Sequence, residues 1–415
     1  MKILHTVESY LPYRHGMSEV VRQISERLAL QGHEIIVATS YSKARKNTNI
    51  NGVNIKQFNI SGNYVNGFRG NIKEYKNYLL NTKVDIIVNF AGQIWTTDIA
   101  LPILNKINSK KIFVPTGFSS LNNPKYEKYY RILEKWISFY DSCIFHSKHY
   151  QDYRWALKRK IKNLHIIPNG ADEKEFKDIK SKPLFLNNKI PKKNKIVLHV
   201  AGYLEKTKGQ LDAMQIFNKS KIPNLTLLVI SKKFDFLREC ILLLKFFLKN
   251  IIYPKTQFDL PYLTRLRINK LISIPRNIIL GRQILFLSLN RSDLIKAFIN
   301  ADLFLFPSWE ECSPIVLLEA AASKTPFLVT DVGNAKEFIR ISKGGELLPS
   351  LQRFSYDCDA ILDQKKSIEI FENLICDNDR LYKLGKQGYQ TWYDKFRWSE
   401  IYKKYESIYL NLLNE

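Results

Sequence analysis

The sequence predicts an α/β protein made of two doubly wound domains, each with a mainly parallel sheet. Three observations predict it. Short apolar runs alternate with amphipathic helical stretches from the first residues onward. The alternation breaks at residues 177–195, where two prolines, paired asparagines and a lysine cluster read as a linker. It then restarts at residue 196. Strand–helix alternation of this kind builds parallel sheets with helices on their faces. The predicted organisation is an N-terminal domain over 1–178, a linker over 179–195 and a C-terminal domain over 196–384. An insertion lies at about 232–277, and a helical tail over 385–415 packs back towards the N-terminal domain.

In chain order, the expected strands of the first domain are 3–7, 34–39, 55–59, 85–90, 111–115, 142–146 and 164–167. A helix over 18–31 is predicted by Val20, Val21, Ile24 and Leu28 at helical spacing, and Gly32 closes it. The second domain should open with a strand at 196–201, a helix at 209–218 and a strand at 225–231. Beyond the insertion come a strand at 284–287 and a helix at 291–299. The stretch FPSWEECSPIVLLEAAASKTPFLVTDVG then follows the apolar strand 303–306. Pro307-Ser308 reads as a turn, and Ser313-Pro314 as a helix N-cap with proline at the first helical position. Residues 315–322 read as a helix and 327–330 as a buried strand. Residues 379–413 read as helical.

This places Glu311 in a loop at the carboxyl end of a strand and Glu319 on the helix that follows. Parallel sheets bind ligands at that edge, where helix N-termini offer backbone N–H groups to an anion. Spacing alone leaves two readings open: a capped helix with solvated glutamates, or a clamp for a ligand with hydroxyls and phosphates. Two such domains joined by a linker predict a cleft where their carboxyl edges face each other, a default place for a ligand.

The chain has 415 residues, 45% apolar and 25% charged, with a net charge of +25. That charge implies an anionic partner or surface, although a general richness in lysine, isoleucine and asparagine contributes to it. The opening MKILHTVESYL has no apolar core of signal-peptide length, and no run approaches the roughly 18 apolar residues of a membrane span. Cys143, Cys240, Cys312, Cys358 and Cys376 are odd in number and unpaired in spacing. They predict reduced thiols in a cytoplasmic protein, with no disulfide framework and no zinc site. In the insertion, leucine, isoleucine and phenylalanine alternate with Lys245, Lys249, Lys255, Arg265, Arg267, Lys270 and Arg276. Such a segment either lies on an anionic bilayer or packs on its own domain with its charges solvated.

Five segments in order carry a resemblance over nearly the whole chain: HGMSEVVRQISERLALQGHE, IIPNGAD, AGYLEKTKGQ, ADLFLFPSWEECSPIVLLEAAA with TPFLVTDVGNAKEFI, and FRWSEIYKKYESIYL. Together they closely resemble the retaining glycosyltransferases of family 4, with the GT-B fold of two Rossmann-like domains facing each other across a cleft. The resemblance implies transfer of a sugar from a nucleotide diphosphate donor with retention of anomeric configuration. Glu319 would bind the ribose hydroxyls and Glu311 the donor sugar, as suits acceptor-only carboxylates. Ser313 and Pro314, with the backbone N–H groups of Ile315 and Val316, would face the sugar or diphosphate. Lys208 would neutralise the leaving diphosphate, stabilising charge that grows in the transition state. Gly16 would let the backbone approach the phosphates, and Thr116 and Gly117 would lie on the acceptor side, with loops 93–98 and 116–120.

Three positions depart from the family. Tyr203 stands where an arginine is common, leaving a second phosphate contact missing or supplied by Lys206. Met17 replaces a second glycine, and Thr116 replaces a histidine near the reacting sugar. His146, at a strand end, reads as structural. No cofactor and no metal are expected, the nucleotide sugar being a co-substrate. The acceptor is expected to be a lipid-linked or cell-surface glycan precursor, such as a polyprenyl-diphosphate oligosaccharide or a lipopolysaccharide core. Peripheral contact with the inner face of a membrane is expected, and no nucleic acid partner. A glycoside hydrolase, with carboxylates straddling one bond, fits less well because the two glutamates surround a helix N-terminus. A dehydrogenase lacks its G-x-G-x-x-G after the first strand. A non-catalytic GT-B protein, or a basic module for acidic polymers or membrane surfaces, is the alternative from another class.

Overall fold

The computed structural model describes residues 1–177, 189–231, 262–353 and 360–415. Most of the expected linker and the first part of the insertion, 232–261, lie outside the described residues. The chain divides into two compact units. The first comprises Met1–Glu173, Glu311–Ile315 and Asp394–Glu415, and the second Lys174–Glu310 and Val316–Tyr393.

The first unit carries an eight-stranded sheet. Its strands are β1 (Lys2–Thr6), β2 (Glu34–Ser40), β3 (Asn49–Ile50), β4 (Val53–Phe58), β7 (Ile86–Phe90), β8 (Lys110–Val114), β9 (Ser142–Phe145) and β10 (Leu164–Ile166). They lie in the order β10-β9-β8-β7-β1-β2-β4-β3, parallel except for β3 against β4. A separate hairpin pairs β5 (Ile60–Asn63) with β6 (Gly67–Gly70). Alternation in β1 sorts the core into two layers. Ile3 joins a cluster with Val21, Ile24 and Leu28 of α1 (Gly16–Leu30), whereas Leu4 joins one with Tyr75, Trp95, Tyr129 and Trp155 on the other face.

The last helix completes the first layer. Between Asn378 and Asn414 the tail forms two helices, separated at Phe396 and Arg397, where the Phe396 carbonyl accepts the Ala171 N–H at 3.1 Å. The second of them, Trp398–Asn414, buries Trp398, Ile401, Tyr405, Tyr409 and Leu412 with the Ile3 cluster. His5 of β1 is buried between Ser25 Oγ, 2.7 Å from its Nδ1, and the Tyr409 hydroxyl, 3.3 Å from its Nε2. Burial lowers its pKa to about 3, so it is a neutral core residue.

The second unit carries a six-stranded parallel sheet: β11 (Lys195–Val200), β12 (Leu225–Ile230), β13 (Gln283–Leu287), β14 (Leu303–Phe306), β15 (Phe327–Thr330) and β16 (Gly345–Leu348). Their order is β13-β12-β11-β14-β15-β16, with the switch in strand order between β11 and β14. Ligands of doubly wound sheets bind outside such a switch point. A short hairpin, β17 (Ser350–Arg353) with β18 (Ala360–Leu362), follows. Among the described residues no helix is long and apolar enough to cross a membrane.

Two glycines let the helix Asn378–Lys395 close on this sheet. A Cβ on Gly385 would lie 2.1 Å from the Lys324 carbonyl oxygen, and one on Gly344 would lie 2.5 Å from the Gly388 Cα. In an open helix, alanine for glycine gains about 1 kcal/mol. Here Gly385→Ala is expected instead to destabilise the protein by about 1–3 kcal/mol, as an overpacked site does. Thermal and urea unfolding check this; an unchanged or raised midpoint would contradict the close approach.

Candidate functional site

The second unit brings together two loops at the carboxyl ends of β11 and β14. After β11, Lys206–Lys208 form one 3-10 turn, closed by Gly209 in the left-handed conformation with φ 69°. A Cβ on Gly209 would lie 1.9 Å from the Pro307 carbonyl oxygen, so the close approach of the loops requires glycine. The Thr207 carbonyl accepts the Trp309 N–H at 2.8 Å and the Ser308 hydroxyl at 2.9 Å. Ser308 is held further by Thr330 of β15, whose hydroxyl donates to its carbonyl.

Trp309 caps this arrangement. Its Nε1–H donates to Asp212 Oδ2 at 2.9 Å, and Lys206 Nζ lies 4.6 Å from the centre of its ring. Burial pushes the Asp212 carboxyl up to about 6, against the pull of Trp309 and nearby cations. Lys206, expected as a substitute phosphate contact, is thus seated on an indole. Tyr203 is half exposed, and its carbonyl accepts from Gln210 Nε2 at 2.7 Å. Lys208 is half-buried on the same turn.

Glu319 sits in the middle of the helix Ile315–Ala322, its side chain 3% exposed. Arg291 Nη2 lies 2.6 Å from Glu319 Oε1. The same guanidinium meets Glu175, with Nε 3.1 Å from each carboxylate oxygen and Nη2 also on Oε2. Burial opposes the charged guanidinium, but Glu319 and Glu175 outweigh it and raise its pKa. Arg291 and Glu175 lie in none of the motifs that mark the other candidates. Arg291 is placed by the helix Arg291–Ile299, whose N-cap Asn290 accepts the Asp293 N–H, but pairing across 116 residues leaves no spacing to read. Trp309 was visible in the quoted motif, whereas its partner Asp212 carried no signal.

The remaining expected residues, Gly16, Thr116, Gly117, Glu311, Ser313, Pro314 and Ile315, belong to the first unit, while Val316 belongs to the second. The helix begins at Ile315, two residues after Ser313. Ser313 Oγ accepts the Asn169 N–H at 3.2 Å, and Asn169 Nδ2 donates to the Ser313 carbonyl at 2.7 Å. The asparagine of the IIPNGAD motif therefore holds the loop. Gly117 has φ 102°, and a Cβ there would lie 3.0 Å from the Cys312 Cβ. Its N–H also supports Asp152, a fully buried carboxyl that burial pushes up to about 7. Burial raises the Cys312 thiol as well, with Asp152 and Glu311 adding to it.

Thr116, with φ 58°, joins Ala91, Gln93 and Ser120 as left-handed residues at the carboxyl edge of this sheet. Gln93 ties the loops together: its Nε2 donates to the Ser119 carbonyl at 2.9 Å, and its N–H to the Tyr129 hydroxyl at 2.9 Å. That hydroxyl donates to Asp98, whose carboxyl burial pushes up to about 6. Gly16 is exposed, and nothing lies within 4 Å of a Cβ placed on it, so the fold alone does not demand glycine there. Met17 packs against the Ile3 core. His146 Nδ1 lies 2.9 Å from the Ile167 carbonyl, and burial lowers its pKa. Among the described residues no group of three or more His, Cys, Asp or Glu is arranged to hold a metal.

Two family models match the chain: Glycosyltransferase Family 4 over residues 14–175 and Glycosyl transferases group 1 over residues 276–373. N-acetyl-alpha-D-glucosaminyl L-malate synthase of Bacillus anthracis is 26% identical over 145 residues, which is 35% of this chain and 35% of that protein. The chain thus matches about a third of the length of that curated relative. Sucrose-phosphate synthase of Thermosynechococcus elongatus superposes with a TM-score of 0.71 at 16% identity, covering 100% of this chain and 99% of that one. Anabaena HepE, solved in complex with UDP and glucose, gives 0.67 at 14% identity over 98% and 99%. The order of motifs, the two parallel sheets and both family models agree: the chain belongs to the family 4 type of glycosyltransferases and has the GT-B fold.

Proposed function

We propose that the chain transfers a sugar from a nucleotide diphosphate donor to a glycan or lipid-linked acceptor, with retention at the anomeric carbon. What carries the reading is the state of Glu319, a carboxylate buried beside the switch point of the second sheet and fixed by Arg291. An ionised carboxylate accepts and does not donate, so it suits the paired hydroxyls of a ribose. The complex of HepE with UDP and glucose supports a nucleotide sugar as donor. In this reading Glu311 takes hydroxyls of the donor sugar. The N–H groups at the start of the helix Ile315–Ala322 take phosphate oxygens. Lys208 faces the charge that develops on the leaving diphosphate.

Retention then needs no enzyme nucleophile: the leaving phosphate accepts the acceptor's proton on the face from which it departs. No metal is required, because Lys208 and the helix N-terminus supply the positive potential. The left-handed loops around Gln93 and Thr116 are the acceptor side, and Gly16 leaves space for the donor's phosphates. The net charge of +25 supports an anionic acceptor or a membrane carrying it. The thiols and the basic composition suit a cytoplasmic protein at the inner face of that membrane.

A panel of nucleotide sugars tests the reading through release of nucleotide diphosphate and calorimetric binding. No turnover and no binding with any donor would end it. Retention is read from the anomeric proton coupling of the product against that of the donor. Glu319→Ala is expected to weaken nucleotide diphosphate binding by about 1.5–3 kcal/mol through lost charge-assisted hydrogen bonds. Wild-type affinity in a folded Glu319→Ala protein would remove the ribose assignment. Lys208→Ala should lower kcat by roughly 10²–10³-fold, as loss of a transition-state electrostatic contact does. A change confined to KM would instead make Lys208 a ground-state binding residue.

A further inference from the structure

The helices Tyr262–Ile272 and Ile274–Ile279 of the second unit carry apolar side chains on an outward face as well as on the face that packs on the unit. The helical path continues through Ser273, whose carbonyl accepts the Asn277 N–H at 2.9 Å. Ile268, Leu271, Ile272, Pro275, Ile278 and Ile279 recur at i, i+3, i+4, i+7, i+10 and i+11. At about 3.6 residues per turn they form one stripe roughly 120° wide. A surface helix ordinarily buries such a stripe. Here it faces outward: Leu271 is 64% exposed, Ile272 75%, Ile278 72% and Ile279 83%.

The opposite side packs on the unit through Tyr262, Leu263 and buried Leu266, and it also buries the polar Ser273 and Asn277. Asn277 Nδ2 donates to Ser273 Oγ at 3.1 Å, Arg282 Nε donates to Asn277 Oδ1 at 3.1 Å, and Asn218 Nδ2 donates to Asn269 Oδ1 at 2.8 Å. These bonds fix which face turns inward, because turning the helix to bury its isoleucines would strand buried polar groups. The outward apolar stripe is therefore a stable feature of the unit. Contiguous exposed apolar surface of this kind marks a contact surface.

Charge selects the partner. Residues 262–282 contain Arg265, Arg267, Lys270, Arg276 and Arg282 and no Asp or Glu. On the helical wheel Arg267 borders one side of the stripe, and Arg265 and Arg276 border the other. A second copy of a chain with net charge +25 would set cations against cations. An anionic bilayer satisfies both features, taking the aliphatic side chains at the acyl boundary and the arginines at the headgroups.

We propose that the outer face of Tyr262–Ile279 docks the protein on an anionic lipid bilayer. This surface stands apart from the donor reading, because vesicle binding requires no nucleotide sugar and donor turnover without vesicles tests the enzyme separately. The experiment is co-sedimentation of the full chain with vesicles of phosphatidylcholine alone or with about a third phosphatidylglycerol, at low and high salt. The wild type is expected to sediment with the anionic vesicles and to be released by salt. Ile278→Glu/Ile279→Glu and Arg267→Gln/Arg276→Gln should each weaken vesicle binding by at least about tenfold. The isoleucine pair, being exposed, should keep the wild-type Tm. A wild type that stays in the supernatant, or variants that bind like wild type, would overturn the proposal. So would a fall of several degrees in Tm for the isoleucine variant, meaning the chain itself covers the stripe, or conversion of a dimer to a monomer, meaning a second copy does.

Discussion

The contact on which the second unit's site depends is the meeting of Gly209 with the Pro307 carbonyl. It forces the turn Lys206–Gly209 against the loop after β14, with Thr207 taking hydrogen bonds from Ser308 and Trp309. Any side chain at residue 209 would separate the loops, because its Cβ would occupy the carbonyl's place at 1.9 Å and its φ of 69° is costly outside glycine. One residue therefore sets where Lys208 stands relative to the motif that leads to Glu319. Trp309 then adds a second constraint by seating Lys206 on its ring and donating to Asp212. Of the two lysines of the turn, Lys206 lies over the indole and Lys208 is half-buried.

Glu319 shows a different balance. Burying a carboxylate costs several kcal/mol before any partner is counted. Arg291 offsets this at 2.6 Å, and Glu175 shares the guanidinium, so the arginine carries two carboxylates. Such a network contributes little net stability compared with an apolar replacement, yet it fixes orientation and favours the ionised carboxylate. A residue used merely to fill the helix Ile315–Ala322 would be aliphatic like its neighbours Leu317 and Leu318. Retention of a carboxylate at this depth is physically economical where its oxygens have a ligand to hold.

Most of the strand–helix order was legible in the sequence because fully buried parallel strands are continuous apolar runs between turn residues. The strands at 303–306 and 327–330 and the helix 315–322 lie where their patterns place them. The strand Gly345–Leu348 and the two hairpins were missed, because two glycines and short polar segments hide the period of two. Glu311, Glu319 and Lys208 stand out as candidates through their motifs. Arg291, Glu175 and Asp212 do not, since their meaning arises from pairing between residues far apart in the chain. The tie between Ser313 and Asn169 is hidden for a related reason, since the two stand 144 residues apart.

The first unit stores its constraint in backbone conformation. Ala91, Gln93, Thr116 and Ser120 all hold positive φ at one sheet edge, each at a cost of order 1–3 kcal/mol for a residue with a Cβ. They persist because the surrounding bonds over-determine them: Gln93 is held through both its backbone and its side chain, and Tyr129 relays the first of these to buried Asp98. Asp152 performs the same task for Gly117, whose N–H it accepts. Both carboxyls have raised pKa values because burial, rather than a nearby charge, dominates their surroundings. Acids placed so deep hold N–H and O–H groups of loops and do not meet solvent. The edge is therefore rigid before any ligand arrives. Rigidity at this edge lowers the ordering entropy that any ligand of the edge would otherwise have to overcome on binding.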